Sequence, residues 1–295
     1  MTLQLNTAEN SDAGESVAEA PIKKIGHILL DAGKINSRDG DEILVLQKQS
    51  GLRFGEAAVK LKIISQADLD EALASQFSYP YLHKESEGFS SELVAAYKPF
   101  GPQVEAFRAL RSQLIFRRLN AENRAIAITS PGKGEGRSYM AANLAVVFSQ
   151  LGQRTLLIDA DLRAPRQHTI FNLDDNTGLV PILAGMDNKV RVQHVAAFKN
   201  LWVLPAGTVP PNPQELLSRD MLSKLLDKVT KTYEVVLIDT PAGKLNSDAE
   251  IIAARAGRAV IVARKGDTPL CDAKRLSDNF VSVGVDVVGS VLNEF

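Results

Sequence analysis

The chain has 295 residues, of which 45% are hydrophobic and 23% are charged, and its formal net charge is -1. This balance is typical of a globular protein and provides no basic field that would attract nucleic acid. The sequence also has no apolar run of the roughly 18 residues needed to span a bilayer. Cys271 is the only cysteine, which excludes an intrachain disulfide and is typical of cytoplasmic proteins.

The length favours two domains. Residues 1–21 are polar and acidic and lack the basic segment and apolar core of a signal peptide, so we expect a disordered lead. The remaining pattern predicts a helical domain over 22–84, a linker over 85–102 and a larger domain over 103–295.

The predicted helical domain contains an internal repeat with an offset of 29 residues. The repeated pairs are Lys24 with Arg53, Gly26 with Gly55, Ile35 with Ile64, Leu44 with Leu73, and Gln47 with Gln76. Each unit predicts two short helices. The second helix of the first unit is expected over Asp41–Gln47 with Ser37 or Asp39 as its cap, and that of the second unit over Gln66–Ser75 with Ser65 as its cap. Two such pairs can bury a common face and form a small all-α domain.

This repeat resembles the MshEN-type N-terminal domain of type II secretion and pilus-assembly ATPases, whose two R-[LF]-G…Q units bind cyclic di-GMP. The residues that the resemblance implies in cyclic di-GMP binding are Lys24, Gly26, Gln47, Arg53, Gly55 and Gln76. Lys24 stands where that family has its first arginine. A helical adaptor that only docks onto a partner is the alternative.

The linker contains the turn-forming string KPFGP. The helix predicted after it, Gln103–Asn120, carries Glu105, Arg108 and Arg111 at spacings of three, which places them near one face. On composition alone this is a solvated charged face. The stretch is similar to the E-x-x-R-x-x-R oligomerisation helix of bacterial tyrosine kinases, and the resemblance implies a ring-shaped homo-oligomer.

A glycine-rich segment follows between a predicted strand, Ala125–Ile128, and an Ala-rich helix that ends at Gly152. Its glycines, Gly132, Gly134 and Gly136, allow backbone N–H groups to approach a phosphate at the start of the helix. Ser138 stands at the Ser/Thr position of the P-loop pattern G-x-x-x-x-G-K-[ST], which holds Mg²⁺. Arg137 replaces the lysine of that pattern and Pro131 its first glycine. An ordinary glycine-rich turn is the alternative.

Two further predicted strands end in carboxylates. Thr155–Ile158 leads to Asp159 and Asp161, and Val235–Ile238 leads to Asp239, which is the Walker B form. Carboxylates at the carboxyl ends of parallel strands face the crevice where ligands bind. Strand ends that are merely capped by these residues are the alternative.

The remaining strands are predicted at Leu201–Leu204, Ala259–Val262 and Val287–Leu292, with helices from about Pro213 to Tyr233 and from Pro269 to Val283. Alternation of strands and helices predicts the α/β class. The fold expected is a P-loop NTPase with a mostly parallel sheet flanked by helices, preceded by the small all-α domain.

Together the segments SPGKGEGRS, LLIDADLR, VVLIDTP and AGTVPPNPQELL resemble the bacterial tyrosine kinase family, which is related to the ParA/MinD ATPases. The GEGRS loop is most similar to the EpsG-type chain-length-determinant kinases of exopolysaccharide operons. Ala242 stands where the family has a second proline. The resemblance implies phosphoryl transfer from ATP to tyrosine, a Wzz-like inner-membrane chain-length determinant protein as partner, and a cytoplasmic location at the inner membrane through that partner.

The same resemblance assigns roles to individual residues. Those implied in nucleotide binding are Gly132, Lys133, Gly134, Glu135, Gly136, Arg137, Ser138, Tyr139 and Asn293. Those implied in Mg²⁺ binding are Ser138, Asp161 and Asp239. Those implied in catalysis are Asp159, as the base for the tyrosine hydroxyl, together with Asp161, Arg137 and Asp239.

The tyrosines do not follow the family pattern, which has a cluster near the C-terminus. They stand at Tyr79, Tyr81, Tyr97, Tyr139 and Tyr233. Either the substrate is another protein, or nucleotide governs only ring assembly. Three hypotheses therefore stand: a tyrosine kinase of polysaccharide export, a ParA/MinD-like ATPase switch, and a non-catalytic adaptor that binds a nucleotide or second messenger.

Overall fold

The computed structural model describes residues 4–5, 24–76, 82, 88–117, 124–175, 177–187, 189–244 and 246–294. Most of the predicted lead lies outside these residues, as do Tyr79 and Tyr81. Within the lead, Gln4 and Leu5 form a short strand that the composition did not predict.

The described helices, in chain order, are α1 (Ile25–Asp31), α2 (Ser37–Ser50), α3 (Phe54–Lys60), α4 (Gln66–Gln76), α5 (Val94–Tyr97), α6 (Pro102–Phe116), α7 (Arg137–Gln150), α8 (Gln167–Ile170), α9 (Leu179–Leu183), α10 (Pro213–Ser218), α11 (Met221–Thr232), α12 (Asp248–Ala256) and α13 (Leu270–Ser282). The described strands are β1 (Gln4–Leu5), β2 (Ala125–Thr129), β3 (Thr155–Asp159), β4 (Lys189–Val190), β5 (Gln193–His194), β6 (Leu201–Leu204), β7 (Val235–Asp239), β8 (Arg258–Arg264) and β9 (Asp286–Asn293). None of the described helices combines the length and hydropathy needed to cross a bilayer.

Helices α1 to α4 pack around a hydrophobic core of their own. Several residues of this core occupy equivalent positions in the two 29-residue units. The core residues that recur at this offset are Leu29 with Ala58, Ile35 with Ile64, and Ile43 with Ala72. Equivalent positions of the two units therefore bury the same face. This packing confirms a helical N-terminal region.

The cap of α2 differs from the prediction. Asn36 is the cap: its side chain accepts the N–H of Asp39 at 3.0 Å, and Asp39 accepts the N–H of Asn36 at 2.9 Å. The helix consequently begins at Ser37, four residues before the predicted start. Ser65 and Asp68 form the same reciprocal pair 29 residues later, so the capping box belongs to the repeat.

The second part of the chain forms a seven-stranded sheet in the order β5-β6-β3-β7-β2-β8-β9. Every neighbouring pair is parallel except β5–β6. Helices α9 to α13 pack on one face and α5 to α8 on the other, which gives two hydrophobic cores. Strands β2, β3 and β7 are buried along their whole length, as expected for a sheet covered on both faces. The predicted α/β fold is confirmed.

Part of the predicted linker belongs to this sheet domain. Leu93, Ala95 and Ala96 are fully buried and pack in the core beside α7. The N–H of Ala95 donates to Asn143 Oδ1 at 2.9 Å. The small residues allow this segment to lie close to α7. The prediction of a linker rested on the turn-forming string KPFGP, which does not show this packing.

Candidate active site

A cavity of about 600 Å³ lies at the carboxyl ends of the central strands. Its walls come from the glycine loop, from the segment after β3 and from the segment after β7. The residues that line it include Lys133, Gly134, Gly136, Arg137, Ser138, Asp161, Arg163 and Arg166. The structure therefore brings together the glycine loop and the carboxylate-bearing strand ends, as the sequence predicted.

The glycine loop has the backbone geometry of an anion-binding turn. Gly134 and Gly136 have φ values of +73° and +93°, a left-handed conformation that favours glycine. Helix α7 begins directly after them at Arg137 and is 14 residues long. The first amides of a helix have no partner within the helix and its dipole is positive at this end, so the start of α7 suits a phosphate.

Glu135, one of the predicted nucleotide contacts, is buried inside the loop. Its carboxylate accepts the N–H of Gly132 at 2.9 Å and the hydroxyl of Thr268 at 2.6 Å. Its backbone oxygen accepts the Asn293 side-chain amide at 3.3 Å. Glu135 thus ties the loop to the segment after β8 and to the end of β9. Its predicted direct contact with nucleotide stays a prediction.

Arg137 is held by the protein on the inner side of the cavity. Its Nε donates to the carbonyl oxygen of Thr240 at 2.8 Å, and Nη1 donates to that of Gly132 at 2.6 Å and to the Ser130 hydroxyl. Nη2 lies 3.8 Å from Asp161 Oδ2. The side chain is only 9% exposed. Most of its hydrogen-bonding capacity is therefore used within the chain.

The carboxylate that ends β3, Asp159, and the one two residues later, Asp161, occupy different environments. Asp159 is fully buried: Oδ1 accepts the N–H of Asp161, and Oδ2 accepts those of Arg166 and Gln167. Asp161 lies on the cavity wall, where Oδ1 accepts the N–H groups of Arg163 and Ala164. The base role predicted for Asp159 stays a prediction, because backbone donors hold both of its oxygens here.

The carboxylate at the end of β7, Asp239, is also buried, and Gln167 Nε2 donates to its Oδ2 at 2.8 Å. Burial raises its pKa to about 6, against the opposing effects of Gln167, Ser138 and Arg137. Burial and the neighbouring Asp239 charge raise the pKa of Asp159 well above its usual value. Two carboxyl groups thus share a desolvated region under the cavity.

The residues predicted to bind Mg²⁺ fit that ion. Within the described ranges no three histidine, cysteine or carboxylate side chains form a ready-made metal site. Mg²⁺, however, usually keeps several waters and takes one or two carboxylates together with phosphates. Ser138 and Asp161 line the cavity, and Asp239 Oδ1 is buried without a hydrogen-bond partner among the residues that the structure describes. The orphaned oxygen is an acceptor that a metal-bound water would satisfy.

A second cavity, of about 620 Å³, lies between α6, α7 and β9. Phe107, Leu110 and Met140 give it an apolar wall, and the predicted nucleotide contacts Tyr139 and Asn293 also line it. Gly134, Gly136 and Arg166 border both cavities. The predicted nucleotide-binding residues are consequently divided between a polar cavity and an apolar one that meet at the glycine loop.

Sequence reasoning missed Gln167 and Asp248. Gln167 Nε2 donates both to Asp239 and to the backbone oxygen of Ser138, at 2.8 and 3.2 Å. Asp248, at the start of α12, holds Arg163 through two hydrogen bonds of 2.7 and 3.3 Å. The sequence signal for Gln167 was its place in the polar phrase LRAPRQH, directly after the Asp159–Asp161 pair. Asp248 lies far from that phrase in the chain and had no comparable signal.

The predicted oligomerisation residues lie on α6. Arg108 donates to Glu105 on the same helix, and Arg111 Nη1 donates to the backbone oxygen of Val147 on α7 at 2.7 Å. Glu105 is 64% exposed and Arg108 is 17% exposed. At least one arginine of the motif therefore packs within the chain, and the predicted ring contact stays a prediction.

The predicted cyclic di-GMP residues are spread over the four-helix repeat. Lys24 and Arg53 are exposed residues that precede α1 and α3. The two glycines have a packing reason: a Cβ on Gly26 would meet the Phe54 ring at 3.3 Å, and one on Gly55 would meet Leu69 Cδ1 at 2.3 Å. Gln47 and Gln76 are half-buried near the ends of α2 and α4. Ligand binding by this set stays a prediction.

The parallel sheet, the glycine loop before α7 and the carboxylates at the ends of β3 and β7 define a P-loop NTPase. The family described as "ParA: NUBPL iron-transfer P-loop NTPase" matches residues 122–294. The septum site-determining protein MinD of Pyrococcus horikoshii, solved with Mg-ADP, has 26% identity and a TM-score of 0.52, over 58% of this chain and 70% of that one.

Relatives with higher sequence identity are named more specifically, as tyrosine-protein kinases. Tyrosine-protein kinase YwqD of Bacillus subtilis is 34% identical over 201 residues, which cover 68% of this chain and 85% of YwqD. The solved kinase domain of the Escherichia coli tyrosine kinase ETK has 36% identity and a TM-score of 0.65, over 68% of this chain and 79% of the domain. This chain spans 28% of full-length Etk. The chain belongs to the bacterial tyrosine kinase family, and the predicted enzyme class, a protein-tyrosine kinase with P-loop chemistry, is confirmed.

Proposed function

We propose that this protein transfers the γ-phosphoryl group of ATP to the hydroxyl of a protein tyrosine. The observation that carries the proposal is the shared wall of the polar cavity, on which Asp161 and Ser138 lie together with the glycine loop. A phosphate at the loop would therefore lie beside a carboxylate. That arrangement suits transfer to a hydroxyl, because phosphoryl transfer depends mainly on positioning and charge.

In the proposed reaction the tyrosine oxygen bonds to the γ-phosphorus and the bond from that phosphorus to the β,γ-bridging oxygen breaks. The tyrosine proton passes to a carboxylate, and ADP leaves. The amides of the glycine loop would orient the phosphates, and the apolar cavity beside Asn293 would take the base. Ser138 and Asp239 would hold Mg²⁺ beside Asp161, and the ion supplies neutralising charge to the phosphate oxygens when bound.

The position of Asp161 favours it over Asp159 as the carboxylate that meets the substrate. Asp161 lies on the cavity wall, whereas Asp159 is buried and its oxygens are engaged by three backbone N–H groups. We assign Asp159 the role of fixing the segment from Asp161 to Gln167. The alternative is that Asp159 is the base, as the sequence predicted. Substituting each carboxylate in turn tests the two assignments.

The described tyrosines favour another protein as the substrate. Tyr233 is 1% exposed and burial raises its pKa to about 12. Tyr97 donates its hydroxyl to the backbone oxygen of Phe89, and Tyr139 packs against Phe107 with ring centroids 5.7 Å apart. Each is thus held within the fold, and none of these three hydroxyls is a free acceptor on an exposed loop.

The biological setting that we propose rests on the resemblance to the EpsG-type kinases. The protein would regulate exopolysaccharide polymerisation and chain length with a Wzz-like membrane protein, and that partner would hold it at the cytoplasmic face of the inner membrane. Rings formed through Glu105, Arg108 and Arg111 are part of the same proposal, as is a docking or cyclic di-GMP-sensing role for the N-terminal helices. Calorimetric titration of the full chain tests the last point, since absence of heat with cyclic di-GMP would leave only docking.

The kinase assignment is tested by incubating the full chain with radiolabelled ATP and Mg²⁺, with and without the cytoplasmic segments of a Wzz-like protein. We expect phosphotyrosine on the partner or on an added tyrosine-containing peptide. Consumption of ATP without any phosphotyrosine would instead support a nucleotide switch. That second candidate is favoured by the similarity to MinD with Mg-ADP and by the internal bonding of Arg137.

A further inference from the structure

Four cationic side chains line the polar cavity: Lys133, Arg137, Arg163 and Arg166. They differ in how firmly the protein holds them. Arg137 is buried and donates to three protein acceptors. Arg163 makes two hydrogen bonds to Asp248, whose side chain is 1% exposed. Moving Arg163 away would leave a buried carboxylate unpaired, which is costly.

Arg166 is held much more loosely at its side chain. Within the described part of the chain its guanidinium has one ion pair, from Nη2 to Glu92 Oε1 at 2.6 Å, and the two side chains are 50% and 38% exposed. Exposed pairs of this kind contribute little to stability, because water screens the charges and two long side chains lose freedom. Arg166 can therefore leave Glu92 at small cost when a stronger anion arrives.

The backbones at both ends of this pair are fixed. The N–H of Arg166 donates to the buried Asp159 at 2.9 Å, and the backbone oxygen of Glu92 accepts the Asn143 amide of α7 at 2.9 Å. Arg166 borders both cavities and Glu92 borders the apolar one. The ion pair consequently stands where the two cavities meet, beside Gly134 and Gly136.

We propose that Arg166 binds phosphate oxygens of the nucleotide and that Glu92 is a competing carboxylate that holds Arg166 in the absence of nucleotide. The proposal rests on the proposed function, because it takes the ligand to be ATP. Arg137 is engaged by Thr240 and Gly132 and can therefore supply only part of the positive charge that the phosphates need. In this proposal Arg166 supplies the rest. A guanidinium suits this role since it can donate two hydrogen bonds to one phosphate.

The test is calorimetric titration of the full chain with ATP in the presence of Mg²⁺. We expect Arg166→Gln to weaken ATP binding by about tenfold, because a charge-assisted contact is lost. We expect Glu92→Gln to strengthen ATP binding by a few-fold, because Arg166 no longer has to leave a carboxylate. Arg191→Gln is the matched control, since Arg191 is 52% exposed and pairs with Asp187 in another part of the chain.

The outcomes separate the two proposals. A wild-type protein that binds no ATP would overturn the proposed function itself. A wild-type protein that binds ATP, with Arg166→Gln binding equally tightly, would overturn only the role of Arg166. If Glu92→Gln weakened binding as much as Arg166→Gln, the pair would be a structural link and the competition would be overturned. Thermal melting of each variant establishes that it is folded.

Discussion

Replacement of Asp161 by asparagine is expected to lower the rate of tyrosine phosphorylation by about 10²–10⁴-fold with little change in melting temperature. Asparagine keeps a carbonyl oxygen that can accept the N–H groups of Arg163 and Ala164, now at 3.2 and 3.0 Å. It loses the negative charge that lies 3.8 Å from Arg137 and faces the cavity. The loss should therefore appear in the initial rate of phosphotyrosine formation at saturating ATP.

Asp286→Asn is the matched control for this substitution. Asp286 begins β9 and pairs with Arg258 at the start of β8, so it lies at the end of the sheet opposite the cavity. It should retain the wild-type rate. A wild-type rate in Asp161→Asn would contradict the assignment, and a larger loss in Asp159→Asn at unchanged melting temperature would return the role of base to Asp159.

Replacement of Asp239 by asparagine is expected to stabilise the nucleotide-free protein at neutral pH while greatly reducing the stabilisation that Mg²⁺ and ATP provide. The pKa of Asp239 is raised from 3.8 to about 6, so its contribution to folding is present below pH 4 and is lost as the pH rises through 6. At neutral pH the ionised carboxylate therefore lowers the unfolding free energy, by an amount on the order of a few kcal/mol. Asparagine avoids this cost because it carries no charge to desolvate.

Denaturant unfolding in Mg²⁺-free buffer between pH 5 and pH 8 measures this effect. The unfolding free energy of the wild type should fall as the pH rises from 5 to 8. That of the variant should fall less, because Asp159 still titrates but no longer faces the Asp239 charge. Addition of Mg²⁺ and ATP should then raise the melting temperature of wild type much more than that of the variant. A variant that is less stable than wild type at pH 7 would contradict the account of a desolvated, unpaired carboxylate.

Features that depend on local pattern were predictable from the sequence. The apolar runs that end in a carboxylate predict the strands β3 and β7, because a parallel sheet covered on both faces needs continuous apolar strands. The glycine loop was also predictable from local sequence, because the positive φ angles at Gly134 and Gly136 favour glycine.

Features that depend on long-range contact were not predictable. The inward bonding of Arg137 requires the carbonyl oxygen of Thr240, which is 103 residues away in the chain. The role of Gln167 likewise requires Asp239, 72 residues further on. The burial of Ala95 and Ala96 inside the predicted linker depends on their fit against α7. The sequence pattern identified the carboxylates, and the fold decides which of them faces the cavity.

Titration of the full wild-type chain with ATP, in Mg²⁺ and again in excess EDTA, is the most direct measurement of whether this cavity is a nucleotide site. We expect one saturable binding event per chain in Mg²⁺ and a clear loss of affinity when the metal is removed. Failure to bind ATP at millimolar concentration in Mg²⁺, by a chain that melts cooperatively, would contradict the assignment of the glycine loop, Asp161 and Asp239 to a single phosphoryl-transfer site.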